Sequence, residues 1–370
     1  MRHSLTGSAA VTGLTAVLAL ACSDASSPTA DSRAPTSLAS ATSPPSLTEQ
    51  HSGTLNRLQA VSPVSRQIVW ASGVGGTYAV TRDGGETWHA AVVPGAEALQ
   101  FRDVEGVSSQ EAYLLAAGTG KDSRIYHTVN GGQTWELQFK NRDPLGFFDC
   151  FAFWSPDRGI VMADPVEGRF PVRRTTSGRL WNDIGDNLPA AQPGEFAFAA
   201  SGTCAATQGQ DRAWLATGGA EKARILATTD GGDTWRAFNT PIVQGTPGSG
   251  VFTVAFRDAL HGILAGGDLE RLERTKNVAV SSDGGKTWTL AANAPFQGAV
   301  FGLSYAAGHD RAPLHKVVVI TGPGGAAWSP DEGQTWTRLR GVRDFWAVAF
   351  ANQQDGWLVG TEGRILKITF

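Results

Sequence analysis

Four aspartates and one asparagine occupy the same place in five nearly identical octets, and a repeated carboxylate is a candidate for acid–base catalysis. The first octet reads Thr81-Arg82-Asp83-Gly84-Gly85-Glu86-Thr87-Trp88. The five side chains are Asp83, Asn130, Asp230, Asp283 and Asp331. Glycine context favours another interpretation, because an Asp or Asn that bonds the backbone two residues on and a glycine with positive φ together build a tight hairpin. These octets, known as Asp-boxes, therefore predict structural turns, and the sequence predicts no catalytic residue.

Each octet ends in a tryptophan, and the spacing between these tryptophans gives the length of one repeat. The tryptophans are Trp88, Trp135, Trp181, Trp235, Trp288 and Trp336, separated by 47, 46, 54, 53 and 48 residues. Trp181 closes a degraded copy that begins at Arg174 and lacks the Asp. A period of this length is typical of propellers and similar arrays. We expect each tryptophan to bury its ring against its own repeat.

One repeat contains four short strand-like segments. In the fifth repeat they cover residues 251–256, 262–267, 277–280 and 288–290. Each is rich in β-branched or aromatic residues and is bounded by Gly, Asp or Asn, which predicts four strands per blade. Six such units begin near Leu55, Leu99, Gly146, Glu195, Gly250 and Ala299.

A seventh unit begins near Phe345 and supplies only three strands before the sequence stops at Phe370. Residues 47–54 match the segment that follows the tryptophan in other repeats, so we expect them to supply the missing strand. Pairing of the two ends would remove the exposed edges of an open array. The sequence thus predicts an all-β, seven-bladed β-propeller over residues 46–370, with Asp-box hairpins and a ring closed by an N-terminal strand that completes the last blade.

The N-terminus has the layout of a secretory signal, with Arg2, an apolar run from Ala9 to Ala21, and then Cys22. Cleavage after Ala19-Leu20-Ala21 and lipidation of Cys22 are two alternatives for its processing. We predict a signal peptide over residues 1–21 and a flexible Ser/Thr/Pro-rich tether over residues 22–45. The expected location is extracytoplasmic, on the periplasmic side of a bacterial membrane, with a lipid anchor at Cys22.

Charge and cysteine content narrow the function further. A formal net charge of -3 with 18% charged residues, and no basic block, argues against nucleic-acid binding. Cys150 and Cys204 lie in comparable positions of neighbouring repeats, which predicts either a disulfide or two buried free thiols. Because no Cys/His spacing for zinc or haem occurs, we expect no metal site and no cofactor.

Enzymatic propellers are the alternative class. A sialidase needs an Arg-Ile-Pro motif, an arginine triad and a tyrosine nucleophile; the sequence has no such tripeptide and only Tyr78, Tyr113, Tyr126 and Tyr305. A xyloglucanase needs two propellers with a carboxylate pair between them. A glycan-binding, sialidase-like or cofactor-bearing propeller stays the second hypothesis behind a non-enzymatic scaffold.

Residues 356–369 contain the pattern Gly-Trp-Leu-Val-Gly, followed by Gly-x-Ile and a final Thr. This pattern resembles the repeats of the photosystem II stability and assembly factor family. The resemblance covers about residues 46–370. It implies a non-enzymatic scaffold that binds a membrane-associated protein complex, and we expect the protein to be a monomer. Relatives also occur in bacteria without photosystem II, so the resemblance leaves the partner open, photosynthetic or otherwise.

Members of that family present an arginine patch on one face of the ring. The corresponding candidates here lie in the loops between second and third strands: Arg124, Arg169, Arg224, Arg271, Arg274 and Arg364. Guanidinium groups suit bidentate capture of carboxylate or phosphate. Acidic residues in the same loops, such as Asp122, Glu221 and Glu362, support the alternative that these arginines form solvated ion pairs.

Overall fold

The computed structural model describes residues 43–306 and 316–370. Within these ranges the chain forms seven four-stranded antiparallel sheets arranged as the blades of a propeller. This confirms the predicted fold class and blade number. The signal peptide, Cys22 and most of the tether lie outside the described residues.

The strands follow chain order and, after the first, fill one blade at a time. Strand β1 is Ser46–His51, and blade 1 contains β2 (Leu58–Pro63), β3 (Val69–Gly73), β4 (Thr77–Thr81) and β5 (His89–Val92). Blade 2 contains β6 (Phe101–Gly106), β7 (Ala112–Ala116), β8 (Arg124–Thr128) and β9 (Glu136–Lys140). Blade 3 contains β10 (Phe148–Ser155), β11 (Arg158–Ala163), β12 (Arg173–Thr175) and β13 (Asn182–Asp183). Blade 4 contains β14 (Ala205–Gln208), β15 (Arg212–Ala216), β16 (Arg224–Thr228) and β17 (Arg236–Asn239).

Blade 5 contains β18 (Ser249–Phe256), β19 (Gly262–Asp268), β20 (Val278–Ser281) and β21 (Thr289–Leu290). Blade 6 contains β22 (Gly302–Tyr305), β23 (Val318–Gly322), β24 (Gly325–Ser329) and β25 (Thr337–Arg338), and blade 7 begins with β26 (Phe345–Phe350), β27 (Asp355–Gly360) and β28 (Arg364–Thr369). Short 3₁₀ helices cover Gly120–Asp122, Gly185–Asn187 and Thr361–Gly363. The first strand of each blade lines the central channel, and the fourth lies outermost.

Strand β1 closes the ring. It pairs antiparallel with β28 from Ser46↔Thr369 to His51↔Arg364 and so becomes the outer strand of blade 7. Gln50 ties this strand to both blades at the joint. Its Oε1 accepts the indole N–H of Trp88 at 3.1 Å and of Trp357 at 3.2 Å, and its Nε2 donates to the Gly84 carbonyl at 3.0 Å. The predicted closure is confirmed.

The Asp-box side chains hold hairpins between the third and fourth strands. In blade 1, Asp83 Oδ1 accepts the Thr87 N–H at 2.9 Å, and the Thr81 hydroxyl accepts the Gly85 N–H at 2.9 Å. Gly85 has φ +92°, a backbone conformation that a side chain would strain. Hydrogen bonds from Thr87 hold the pKa of Asp83 well below its usual range. The carboxylate is thus an ionised hydrogen-bond acceptor within a turn.

Replacing Asp283 with Ala tests this role. Although burial opposes the shift, hydrogen bonds from Thr287 and Ser281 lower the pKa of Asp283. We expect D283A to lower the free energy of unfolding by about 1–2 kcal/mol at pH 7. A depressed folded-state pKa gives stability that is present above the unfolded pKa near 4 and is lost as the pH falls further. Denaturant melts should therefore show the two proteins converging as the pH falls through the lowered pKa that Asp283 has in the folded state. K286A, an exposed change in the same octet, is the control and should leave the unfolding free energy unchanged.

The first strand of blade 4 departs from the repeat. It begins only at Ala205, and the preceding residues 199–203, here called the plug, cross the central channel. The Ala199 carbonyl accepts from Arg102 of blade 2 at 3.2 Å, and the Ser201 hydroxyl donates to the Phe301 carbonyl beside blade 6 at 2.6 Å. Contacts with blades on opposite sides of the ring mean that the plug divides the channel into two halves.

A disulfide joins Cys150 of blade 3 to Cys204 at the end of the plug, with the two Cα atoms 6.0 Å apart. Both residues are fully buried. The Thr203 hydroxyl also donates to the Thr253 hydroxyl of blade 5 at 2.8 Å. The plug is therefore held covalently on one side and by hydrogen bonds on the other.

Candidate binding site at the channel mouth

The loops between second and third strands meet the starts of the next blade's inner strand on one side of the ring, here called the loop face. Isolated bridges such as Val74↔Gln100 and Thr119↔Phe147 make this connection. All six arginines predicted as a patch lie in or beside these loops. The loop face also includes one mouth of the central channel.

Five of the six predicted arginines are paired with carboxylates. The pairs are Arg124–Asp122 at 3.6 Å, Arg169–Asp183 at 2.7 Å, Arg224–Glu195, Arg274–Asp268 at 2.9 Å and Arg364–Glu49 at 3.7 Å. Arg271 is exposed and forms no ion pair among the described residues. Glu195, the partner of Arg224, has a fully buried side chain, so this pair fixes the loop rather than facing solvent. The arginines of the loops therefore carry little uncompensated charge.

At the channel mouth, β-bulges interrupt the inner strands of five blades at the same place. The register shifts lie at Gln59, Arg102, Asp149, Phe252 and Trp346, in blades 1, 2, 3, 5 and 7. A bulge leaves one residue unpaired and re-aims its side chain. The repeat thus presents one variable side chain per blade around the mouth.

One half of this mouth is aromatic. Phe198 stacks on Phe252 with ring centroids 3.8 Å apart, Phe252 stacks on Phe301 at 5.7 Å, and Phe301 meets the edge of Trp346 at 5.6 Å. Phe301 and Trp346 are partly exposed, whereas Phe252 is buried beneath them. The rings form a continuous arc across blades 4 to 7.

The other half carries two guanidinium groups without carboxylate partners. The Arg57 guanidinium lies 4.8 Å from the Trp346 ring centroid, and its Nε is buried without a hydrogen-bond partner among the described residues. Arg102 donates to Gln100 Oε1 at 2.9 Å and to the plug. Burial and the neighbouring charge of Arg57 lower the pKa of Arg102. The nearby Asp149 opposes this shift but forms no ion pair with either arginine, so the two adjacent cations favour an anionic ligand.

Buried acceptors complete the mouth. Gln59 Oε1 has no hydrogen-bond partner among the described residues, and the buried Asp149 carboxyl lies against the carboxyl of Asp164. Burial and the neighbouring Asp164 raise the pKa of Asp149 well above its usual range, and burial raises the pKa of Asp164 to about 6. Burial and the charge of Asp164 thus favour the neutral form of Asp149, which leaves the positive charge of Arg57 and Arg102 less compensated. Unsatisfied buried polar groups are rare in folded proteins and mark sites that a ligand or water completes.

Sequence reasoning missed Arg57, Arg102, Asp149 and Trp346 as a set. A signal was available, because Arg57 directly precedes an inner strand, and the other three are each the second residue of one, a position at which the repeats differ in residue type. Within the described ranges no group of three or more His, Cys, Asp or Glu side chains is placed to hold a metal ion. Nor does any helix in those ranges have the length and hydrophobicity needed to span a bilayer.

Solved structures with the same architecture support the fold assignment. One, "YCF48 bound to D1 peptide", has a TM-score of 0.58 and 18% sequence identity, and the alignment covers 89% of this chain and 97% of that chain. A second, YCF48 from Cyanidioschyzon merolae, has a TM-score of 0.60 and 16% identity over 87% of this chain and 98% of that chain. This chain shares the YCF48 fold. No protein-family model matches it, and no curated protein matches it either. The family resemblance inferred from the repeat pattern agrees with these two structures at the level of the fold.

Proposed function

We propose that this protein is a non-enzymatic, extracytoplasmic scaffold that binds a polypeptide segment of a membrane-protein complex at the channel mouth of its loop face. The observation that carries the proposal is the mouth itself, where an aromatic arc lies beside two guanidinium groups without carboxylate partners. Stacked aromatic rings and arginines are the side chains that dominate protein-binding sites. Peptide binding by a YCF48 structure, with D1 as the peptide, supports the same use of this fold.

Location and attachment form part of the proposal. The Cys150–Cys204 disulfide supports an oxidising compartment, and the signal sequence and Cys22 support export with a lipid anchor. A tether before the propeller would keep the loop face within reach of membrane proteins. The paired arginines Arg124, Arg169, Arg224, Arg274 and Arg364 then shape the rim around the mouth, and Arg271 adds an exposed charge.

Replacement of Arg57 and Arg102 by Gln and of Trp346 by Leu in one variant should abolish partner capture. Affinity purification of the full chain from native membranes, followed by quantitative mass spectrometry, measures the effect. We expect recovery of the membrane-protein partner to fall at least about tenfold, because central aromatic and arginine contacts each contribute about 2 kcal/mol or more.

The matched control is R142Q, which removes an exposed arginine from the same face outside the mouth. It should leave recovery unchanged. If the mouth variant melts like the wild type and still recovers the same proteins at the same level, the channel mouth is not the binding surface. If the wild type recovers no membrane protein at all, the scaffold proposal itself fails.

A further inference from the structure

On the opposite side of the plug, the other half of the channel is a cavity of about 520 Å³. It opens on the face that carries the Asp-box hairpins, and inner strands of all seven blades line it. Plug residues Ser201, Gly202 and Thr203 close its inner end. This volume lies within the range of small-molecule sites, roughly 300–1,000 Å³.

Strand register reveals a ring of seven equivalent positions around this cavity. Each position lies on an inner strand and is paired with a residue of the neighbouring second strand. These partners are Trp70, Tyr113, Ile160, Trp214, Ile263, Val319 and Trp357. The residues in the ring are Ser62, Glu105, Ala152, Ala206, Ala255, Ser304 and Ala349, and every one lines the cavity. Six are Ala or Ser, which leaves space in the channel. Glu105 alone introduces a carboxyl group.

The Glu105 carboxyl has no partner among the described residues. It forms neither a hydrogen bond nor an ion pair, and burial alone raises its pKa to about 8. Asp103, the neighbouring acid, is committed to structure, because its oxygens accept the N–H groups of Val104 at 2.8 Å and Phe151 at 2.9 Å. Burial raises the pKa of Asp103 as well, and the charge of Glu105 adds to that shift.

The other charged groups near the cavity are already paired. Arg257 binds Glu332 and Asp258 at 2.5 and 2.7 Å, and the Tyr305 hydroxyl donates to Glu332 at 3.0 Å. Tyr113, opposite Glu105 on the next strand, donates its hydroxyl to the Pro156 carbonyl at 3.0 Å. No basic group of the described lining is therefore available to neutralise Glu105.

Partly exposed aromatic side chains line the cavity next to the seven equivalent positions. Phe153, Trp154 and Phe256 line the cavity from blades 3 and 5. Trp154 already holds a cation on its ring, since the Arg158 guanidinium lies 4.9 Å from the ring centroid. Aromatic walls beside an unpaired carboxyl group are the chemistry that recognises organic cations, whereas an anion would meet the carboxyl groups of Glu105 and Asp103.

We propose that this cavity binds an organic cation, an alkylammonium or guanidinium group, with Glu105 as its counter-ion. The site is separate from the loop face, because the plug lies between them, and it does not depend on the scaffold function. A cation requires the ionised form of Glu105, so binding releases a proton at neutral pH. Affinity should therefore rise as the pH increases toward the raised pKa of Glu105 and level off above it.

Isothermal titration calorimetry of the full chain with butylguanidinium and butylammonium tests the site. The expected result is binding at pH 8.5 that weakens at pH 6, with proton release seen in buffers of different ionisation enthalpy. Butyrate and butanol serve as anionic and neutral probes of similar size. Acetyl-Gly-Arg-Gly-amide separates the sources: binding as tight as butylguanidinium assigns the site to an arginine side chain of a partner, and exclusion of the tripeptide assigns it to a free cation.

Two variants test the role of Glu105. E105Q keeps the side-chain shape and E105A restores the small residue found in the other blades, so a folding defect in one is checked by the other. We expect either change to weaken cation binding at pH 8.5 by at least about tenfold and to remove its pH dependence. Equal binding of butanol and butylammonium, no binding of either cation, or an unchanged affinity in both variants would overturn the proposal.

Discussion

Deletion of residues 46–54 is expected to lower the melting temperature of the propeller by about 10 °C or more, because it opens the ring. The deletion removes the six-residue ladder between β1 and β28 and exposes the edge of β28. It also leaves the indole N–H groups of Trp88 and Trp357 without their acceptor, although both rings are buried. Thermal melts followed by tryptophan fluorescence, which reports on these rings, measure the change.

Point variants separate the closing strand from its key side chain. Q50A removes three hydrogen bonds across the joint and should lower the unfolding free energy by about 2–4 kcal/mol, because two buried donors lose their partner. T48A, on the exposed side of the same strand, should change it by no more than about 0.5 kcal/mol. An unchanged melt after the deletion would refute closure by β1. Equal effects of Q50A and T48A would refute the role assigned to Gln50.

Replacement of both Cys150 and Cys204 by Ala is expected to lower the free energy of unfolding by about 4 kcal/mol, which is the second large effect. The cysteines are 54 residues apart, and a crosslink of that span removes this much chain entropy from the unfolded state in the loop-closure description. Because Cys204 ends the plug, residues 199–203 should also exchange their amide hydrogens faster in the variant. Chemical denaturation and hydrogen exchange measure the two effects.

Thiol counting provides the control for this prediction. Alkylation of the denatured wild type should modify neither Cys150 nor Cys204 before reduction and both after it. Reduction of the wild type should reproduce the stability of the double Ala variant. Two reactive thiols in the unreduced protein would favour the buried free thiols instead, and the double variant would then lose only packing.

The blade architecture was predictable because its signals are local. Asp83 and Gly85 specify a hairpin with neighbours at most four residues away, and the period of the tryptophans counts the blades. The missing strand of blade 7 could likewise be assigned to residues 46–54 by comparison with the other repeats. The fold of a repeat array can be predicted from its sequence because every unit buries apolar side chains at the same positions against its neighbours.

The binding site was less accessible to prediction. Arg224 and Glu195 are 29 residues apart, and Arg364 meets Glu49 from the opposite end of the chain. Charge pairing over such distances is set by which loops the ring brings together, so the sequence indicated arginines on the loop face without showing which are neutralised. Arg57 and Arg102 stand out only when the ion pairs of the other arginines are known.

Sequence alone determined the hairpins, the number of blades, their four-stranded construction and the joint between the chain ends, since all of these follow from short-range hydrogen bonding and repeated apolar spacing. Tertiary structure decided the bulges, the plug, its disulfide and the isolation of Glu105. Those features lie where the seven inner strands converge on one channel, and they depend on which blades the closed ring brings together. The plug, for example, is held by Arg102 of blade 2, Cys150 of blade 3 and the Phe301 carbonyl beside blade 6, and these contacts form only when the ring brings those distant segments together.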